Sequence, residues 1–386
     1  MKVLIAAPTY LPSRRANTIQ VMKMAQAVVL LGHDVLVSVP NPKHERFTNW
    51  EILAHHYGLI HKFDVEWIKV RSGLRSYDYG VQAVRSFRRS NADILYTRNP
   101  QAAALASILK IPSILEIHDM PGGISGPVLF WLFLRGKGAR RAVLITKSLR
   151  EAITQEIPSL PGHPFTIVEP DGVDLSRYES IPEPEDARKA LREANLLELP
   201  GNRFTVGYTG HFYTGRGVEM ILDMASHIPD VTFVLVGGDP MAVTSIQNKV
   251  NRQGLRNVYV TGFVPNVELP RYQAACEVLL MPYQRRVEAS SGGDISQYLS
   301  PMKLFEYLAC GRVILSSHLP VLNEILNGEN AILLPPDDVD AWVEAIKGIR
   351  NDPVRRKSLA EQARTDSVRF SWESRAERIL SFEEYN

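Results

Sequence analysis

Thirteen short apolar runs, rich in Val, Ile and Leu and lacking the polar alternation of a half-exposed strand, punctuate this chain of 386 residues. Longer segments with helical period separate them. Runs of this kind fit parallel strands covered on both faces, and their regular exchange with helices predicts a doubly wound α/β fold. Strands are expected at Lys2–Ala6, Asp34–Val39, Val65–Val70, Ile94–Tyr96, Ser113–Glu116, Val143–Thr146 and Thr166–Val168. A second series follows at Phe204–Tyr208, Thr232–Val236, Val258–Thr261, Val278–Pro282, Arg312–Ser316 and Ala331–Leu334. A helix from about Thr18 to Leu31, stopped by Gly32, joins the first two strands. The stretch 178–201, with PEPED at its centre and LPGN at its end, holds a charged helical segment flanked by prolines and is the natural linker. The length exceeds one typical core, so two Rossmann-like domains are expected, residues 1–185 and 200–365, with a helical C-terminal segment, 366–386, returning to the first. Two such lobes facing each other would enclose a cleft between the carboxyl ends of two sheets, where ligands bind in these folds.

Charge adds a second constraint. Residues 1–150 hold 21 Lys and Arg against 9 Asp and Glu, leaving 23 against 33 for the rest, so the overall +2 conceals a basic and an acidic half. The basic half is suited to face something anionic. Two cysteines, Cys276 and Cys310, both in apolar stretches, exclude a disulfide framework and fit a reducing compartment. The opening MKVLIAAPTYLP reads as a buried strand rather than a leader, and no apolar run reaches about 18 residues. The expected location is the cytoplasm.

The most informative stretch is Tyr298–Leu315, YLSPMKLFEYLACGRVIL. Ser300 suits an N-cap, Pro301 the first helical position and Gly311 the stop. Lys303 stands where the helix dipole disfavours a cation, a conflict that an anion docked on the free N–H groups would remove. Glu306, one turn on, is placed to accept hydrogen bonds from hydroxyls attached to that anion. A second anion site is expected in FTVGYTGHFYTGRGVEMI, Phe204–Ile221, where Gly210 admits a ligand to the backbone and Arg216-Gly217 enters the next helix. In the first half, SILEIHDM delivers Glu116, His118 and Asp119 from the end of a strand. The loop PTYLPSRRANTIQ, Pro8–Gln20, contains no glycine and so is no dinucleotide-binding fingerprint. No G-x-S-x-G, G-x-x-x-x-G-K-[ST] or H-E-x-x-H is present. Asp338–Asp340 reads as turn and N-cap chemistry, and no catalytic metal is expected.

The runs SPMKLFEYLACGRVIL, VEPDGVD, GYTGHFYTGRGVEMIL, TGFVPNVELPRYQAACEVLLMPY and FSWESRAERIL together resemble retaining glycosyltransferases of family 4, which have the GT-B fold. The resemblance implies that Glu306 is the second glutamate of an E-x7-E motif and holds the nucleotide ribose. The first glutamate falls at Tyr298 here, with Asp294 or the Gly292-Gly293 loop as replacement contacts to the donor sugar. Arg216 takes the place of the usual lysine that neutralises the donor diphosphate, and His211 that of a partner arginine. His118 matches a histidine that contacts the transferred sugar, while Asn17 and Thr18 stand where the family often has a glycine pair. His118, Arg216, Lys303 and Glu306 are thus the expected catalytic set. Asn17, Thr18, Gly210, His211, Gly217, Gly238, Phe263, Asp294, Tyr298, Ser300, Pro301 and Met302 are the expected substrate contacts.

The implied reaction moves a hexosyl group from a nucleoside-diphosphate sugar, UDP- or GDP-linked, to a lipid-linked or saccharide acceptor, with retention, without metal and with no other cofactor. Cell-envelope or exopolysaccharide assembly is the expected setting, and no nucleic acid is expected as a partner. Two alternatives stay open: a nucleotide-sugar epimerase of the same fold, and a non-catalytic nucleotide-sugar-binding protein. Gly126–Arg141, GPVLFWLFLRGKGARR, reads either as a helix resting on an anionic membrane, at the inner face of the cell membrane, or as a buried helix with a basic end.

Overall fold

A computed structural model of the chain describes residues 1–41, 49–71, 75–288 and 293–382. All thirteen apolar runs form strands, and every strand pair is parallel. Residues Met1–Asp171 and Trp372–Asn386 form one unit, Gly172–Ser371 the other. The first unit contains β1 (Lys2–Ala6), β2 (Asp34–Pro40), β3 (Asp64–Ile68), β4 (Ile94–Thr97), β5 (Ser113–Ile117), β6 (Ala139–Leu144) and β7 (Thr166–Val168), in the order β3-β2-β1-β4-β5-β6-β7. The second contains β8 (Thr205–Thr209), β9 (Thr232–Val236), β10 (Val258–Gly262), β11 (Val278–Met281), β12 (Val313–Ser317) and β13 (Ile332–Leu334), in the order β10-β9-β8-β11-β12-β13. Strand order reverses between β1 and β4 in one sheet and between β8 and β11 in the other. The loops leaving these strands therefore diverge and open a crevice at each sheet's carboxyl edge.

The unbroken apolar runs are explained by burial on both faces. Val3, Leu4, Leu95 and Ile114 are sealed in the first sheet, and Phe233, Leu235, Leu279 and Ile314 in the second. Apart from β6, every strand bound lies within about two residues of its expected place, and three differences are larger. β6 begins at Ala139, before the expected Val143, because Arg141 is itself a buried strand residue. Its guanidinium donates to the carbonyls of Arg378 (2.8 Å), Ile379 (2.7 Å) and Ser381 (2.7 Å) at the end of the last helix. A cation meeting the exposed carbonyls of a helix C-terminus is stabilised by their hydrogen bonds and by the helix dipole.

The stretch 178–201 is not a linker between units, because its side chains are built into the second one. Buried Tyr178 donates to Gln273 Oε1 (2.8 Å), and buried Arg188, in the helix Pro184–Glu193, donates to Ala275 O (2.9 Å) and Glu277 Oε1 (3.0 Å). The chain passes between units at Asp171-Gly172, earlier than expected, and again at Ser371-Trp372. The two passages run side by side, with Val173 N donating to Phe370 O (2.9 Å) and a parallel bridge from Val173 to Ser371. The C-terminal segment is correspondingly divided, into Pro353–Ser367, a short 3-10 turn at Val368–Phe370, and Trp372–Leu380.

Candidate functional site

In the second unit, the crevice between β8 and β11 gathers most of the residues singled out in the sequence. β8 ends in Gly210, whose φ of +137° suits only glycine, and a Cβ there would lie 2.7 Å from Lys303 Nζ. Gly210 N donates to Val236 O (2.8 Å) and Gly238 N to Gly210 O (3.1 Å), so Gly238 lines the same turn. Gly217, at φ +77°, caps the helix Val218–His227 and presses so closely on Pro282 O that a Cβ would sit 1.9 Å away. That contact fixes Arg216 beside β11, with its guanidinium 5.0 Å from the Tyr283 ring centre.

The helix that carries Lys303 starts one residue later than expected. It runs Met302–Cys310, with extended Pro301 in the N-cap position and no side-chain cap, so Ser300 is not the cap. Pro301 has no N–H and its ψ of 121° keeps it outside the helix, while its carbonyl accepts from Leu304 N at 2.9 Å. Lys303 does not reach into water. Its Nζ is sealed from solvent, makes no hydrogen bond among the described residues, and sits over the Tyr208 ring at 3.7 Å from the centre, with the Tyr283 ring at 5.6 Å. Burial, aided by the positive charge of Arg216, holds its ammonium well below the usual lysine range; Glu306 opposes the shift. Cation-π contacts compensate part of the lost hydration, but they supply no negative charge.

Glu306 is buried on the same helix and accepts from Gln273 Nε2 at 3.2 Å. Gln273 in turn reaches Thr209 Oγ1 (3.3 Å), and Tyr307 Oη accepts from Thr209 N (2.8 Å), so Glu306 is tied to the end of β8. Other expected contacts are held differently. Asp294 Oδ1 accepts from Val287 N (3.0 Å) and Ser296 N (2.9 Å), which closes its own loop and lowers its carboxyl pKa. His211 stacks on Tyr213, ring centres 4.7 Å apart. Tyr298 N donates to Ile295 O (3.1 Å), its side chain half-buried; Phe263 is exposed after β10; Gly293 has a φ of +89°; and Gly292 lies outside the described residues. Asp338 caps the helix Val339–Asn351 by accepting from Ala341 N (3.0 Å), as the sequence suggested.

In the first unit, His118 follows β5, and its Nε2 bonds Glu116 Oε1. Burial and the neighbouring Arg98 hold the imidazole down to about 4, against the pull of Glu116. Thr18 commits its hydroxyl to Arg15 O (2.7 Å) and Ser13 O (2.9 Å), folding the loop after β1 onto the helix Ala16–Leu30. Asn17, at that helix's first turn, leaves its buried Oδ1 without a partner. Sequence reading missed Tyr208, Tyr283 and Gln273, because aromatic and amide residues inside apolar runs pass for core. Among the described residues, no three His, Cys, Asp or Glu side chains are grouped to hold a metal, and no helix is long and apolar enough to cross a membrane.

Residues 203–352 match the glycosyl transferases group 1 family. A D-inositol 3-phosphate glycosyltransferase of Xylanimonas cellulosilytica is 28% identical over 220 residues, 55% of this chain and 49% of the relative. An alpha-D-kanosaminyltransferase of Streptomyces kanamyceticus is 23% identical over 278 residues, 67% of this chain and 66% of the relative. The chain thus aligns with about half to two thirds of the length of these two relatives. Among solved structures, Anabaena Alr3699/HepE in complex with UDP superposes with a TM-score of 0.72 over 98% of both chains at 18% identity. WaaG, a glycosyltransferase involved in lipopolysaccharide biosynthesis, does so at 0.63 over 98% of this chain and all of its own, at 16% identity. The match to the glycosyl transferases group 1 family thus falls within the second unit, and the two parallel-sheet units are those of the GT-B fold.

Proposed function

We propose that the protein transfers a hexosyl group from a nucleoside-diphosphate sugar, UDP- or GDP-linked, to a lipid-linked or saccharide acceptor, with retention at the anomeric carbon and without a metal. The observation that carries this reading is the sealed, unpartnered ammonium of Lys303 beside Gly210 and Arg216. A diphosphate laid against Gly210 would meet Lys303, the uncapped N-terminus of the helix Met302–Cys310 and the Arg216 guanidinium together. Glu306, fixed by Gln273, would accept hydrogen bonds from the ribose hydroxyls.

In the reaction, the bond from the anomeric carbon to the diphosphate oxygen breaks while a bond to the acceptor oxygen forms on the same face. The acceptor proton passes to the departing phosphate. Lys303 and Arg216 stabilise the negative charge that grows on that phosphate, the term that dominates such reactions in a dry site. His118 serves the sugar, and Gly217, Gly238 and Met302 shape the donor pocket, with Asn17, Thr18, His211, Phe263, Tyr298, Ser300 and Pro301 as further contacts.

A panel of UDP, GDP and ADP with their sugars, read by thermal shift, tests the donor, since a ligand of the native state raises the melting temperature. Labelled donor then separates the readings. Slow hydrolysis or transfer supports the transferase, altered sugar on an intact diphosphate supports an epimerase, and binding without turnover supports a sensor. Transfer is expected to persist in excess chelator; loss that Mg²⁺ or Mn²⁺ restores defeats the metal-free reading.

The lipid-linked acceptor, envelope assembly and a location at the inner face of the membrane belong to the same proposal. Their support is the helix Gly126–Arg135, which buries Phe130 and Phe133 yet exposes Val128, Trp131 and Arg135 along one stripe, with Ile124 exposed just before it. Arg135 lies over the Trp131 ring, and exposed Lys137 and Arg140 follow. An apolar stripe ending in cations suits an anionic lipid surface. Flotation with vesicles containing phosphatidylglycerol should retain the protein and lose Trp131→Ser; equal flotation of both defeats the membrane contact.

A further inference from the structure

Glu116 is a carboxylate with no solvent contact whose two oxygens are both taken by the first unit itself. Oε2 accepts from Arg375 at 3.0 Å, while Oε1 accepts from Gln20 Nε2 at 2.5 Å and from His118 Nε2. Arg375, equally buried on the last helix, also donates to Pro170 O (2.7 Å), Glu169 O (3.3 Å) and Tyr96 Oη (3.3 Å). Gln20 cannot turn its amide over, because its Oε1 accepts from Arg98 at 3.1 Å. The elements around the histidine contribute Gln20 from the helix after β1, Arg98 after β4, Glu116 on β5 and Arg375 from the C-terminal helix, and Asp171 after β7 lies within electrostatic reach of Glu116, Arg98 and Arg375.

We propose that Arg375 and Glu116 are positioning residues that fix His118 as the Nε2–H tautomer, so that its Nδ1 stands as a bare hydrogen-bond acceptor for a hydroxyl of the bound sugar. Donors and acceptors decide the tautomer. An ionised carboxylate can only accept, so the nitrogen facing it must carry the proton, and a neutral ring then leaves its other nitrogen without one. Burial alone would raise the Glu116 pKa, but Arg375 and His118 hold it down to about 2, so the carboxylate is ionised at every working pH. Nδ1 has no partner among the described residues, and 19% of the His118 side chain stays open to solvent. Arg98 and Arg375 both oppose a positive charge on the ring, so His118 offers a lone pair and not a cation. The sugar hydroxyl as occupant rests on the transferase reading; the tautomer does not.

The full chain labelled with ¹⁵N-histidine tests this directly. Long-range proton–nitrogen spectra distinguish a protonated from a bare ring nitrogen, and the His118 signals are those missing from His118→Asn. The expected spectrum shows Nε2 protonated and Nδ1 bare, unchanged from pH 5 to 8. A protonated Nδ1, or titration near the ordinary histidine value, overturns the proposal, and this reading needs no mutant to fold. In Glu116→Gln the new amide can donate to Nε2, so the Nδ1–H form should appear; Arg375→Lys, which keeps the charge, should hold the wild-type tautomer. Neither change in Glu116→Gln, or a switched tautomer in Arg375→Lys, also counts against it. In turnover, Glu116→Gln should lower kcat roughly 3- to 10-fold, the worth of one hydrogen bond between neutral partners, with donor KM within about twofold. A switched tautomer with unchanged kcat removes the sugar contact and leaves the tautomer assignment standing.

Discussion

Both units place buried cations at the carboxyl edge of a sheet, but they compensate them in opposite ways. In the first, Arg375 meets Glu116 at 3.0 Å and fills its remaining donors with Pro170, Glu169 and Tyr96. In the second, Lys303 meets the faces of Tyr208 and Tyr283 among the described residues, and Glu306, the carboxylate that favours its charge, makes no salt bridge to it. A closed set of charges holds geometry, and what it holds is His118. An open set costs free energy in the free protein and recovers it when an anion arrives.

The largest effect that separates the two should come from Arg375→Met. It strands Glu116 as a buried unpaired charge and should lower the unfolding free energy by about 3–5 kcal/mol in urea titrations. Lys303→Met should do the reverse without ligand, raising stability by about 1–3 kcal/mol, because the site loses a desolvated charge with no partner. The same variant should lose the thermal shift given by the nucleoside diphosphate. If it instead unfolds as readily as Arg375→Met, Lys303 has a hidden counter-charge and the contrast fails.

A smaller effect concerns protons. His118, held down to about 4 from 6.5, leaves the unfolded chain binding more protons between those values, so its contribution is complete above pH 6.5 and lost as pH falls towards 4. Asp171 is raised from 3.8 to about 7, chiefly by burial, so its contribution is complete below pH 3.8 and lost as pH rises towards 7. Across pH 4 to 6.5 the two slopes oppose each other. Asp171→Asn removes one of them, and its stability should climb with pH more steeply than wild type, by up to about 1.4 kcal/mol per unit. Parallel curves would refute the opposed pair. The smallest effect is that of Glu306→Ala, which should weaken nucleoside diphosphate binding roughly tenfold, about 1.4 kcal/mol, as expected for a hydrogen bond made by a charged group. Unchanged affinity for every nucleotide would end its ribose role.

The sheets were legible because a strand covered on both faces must be apolar throughout, and β6 was cut furthest short, where Arg141 interrupts the run. The glycines and Lys303 were legible because their spacing conflicts with ordinary helix and strand chemistry. Tyr208, Tyr283 and Gln273 were not, since a residue that lines a pocket from inside an apolar run has the same local context as one that fills the core. Arg375 was hidden for the opposite reason: in ESRAER it stands among charges that belong on a solvated helix face, and only the fold brings it to Glu116. Pairing across 259 positions leaves no local trace.

That separation also orders events during synthesis. The strand bearing Glu116 leaves the ribosome before the second unit is made, whereas its guanidinium partner follows the whole of that unit. A nascent or shortened chain therefore holds His118 beside a carboxylate that lacks its counter-charge. Synthesis of the helix that bears Arg375 is what finishes the first unit, so the histidine is set only after the second unit has been made.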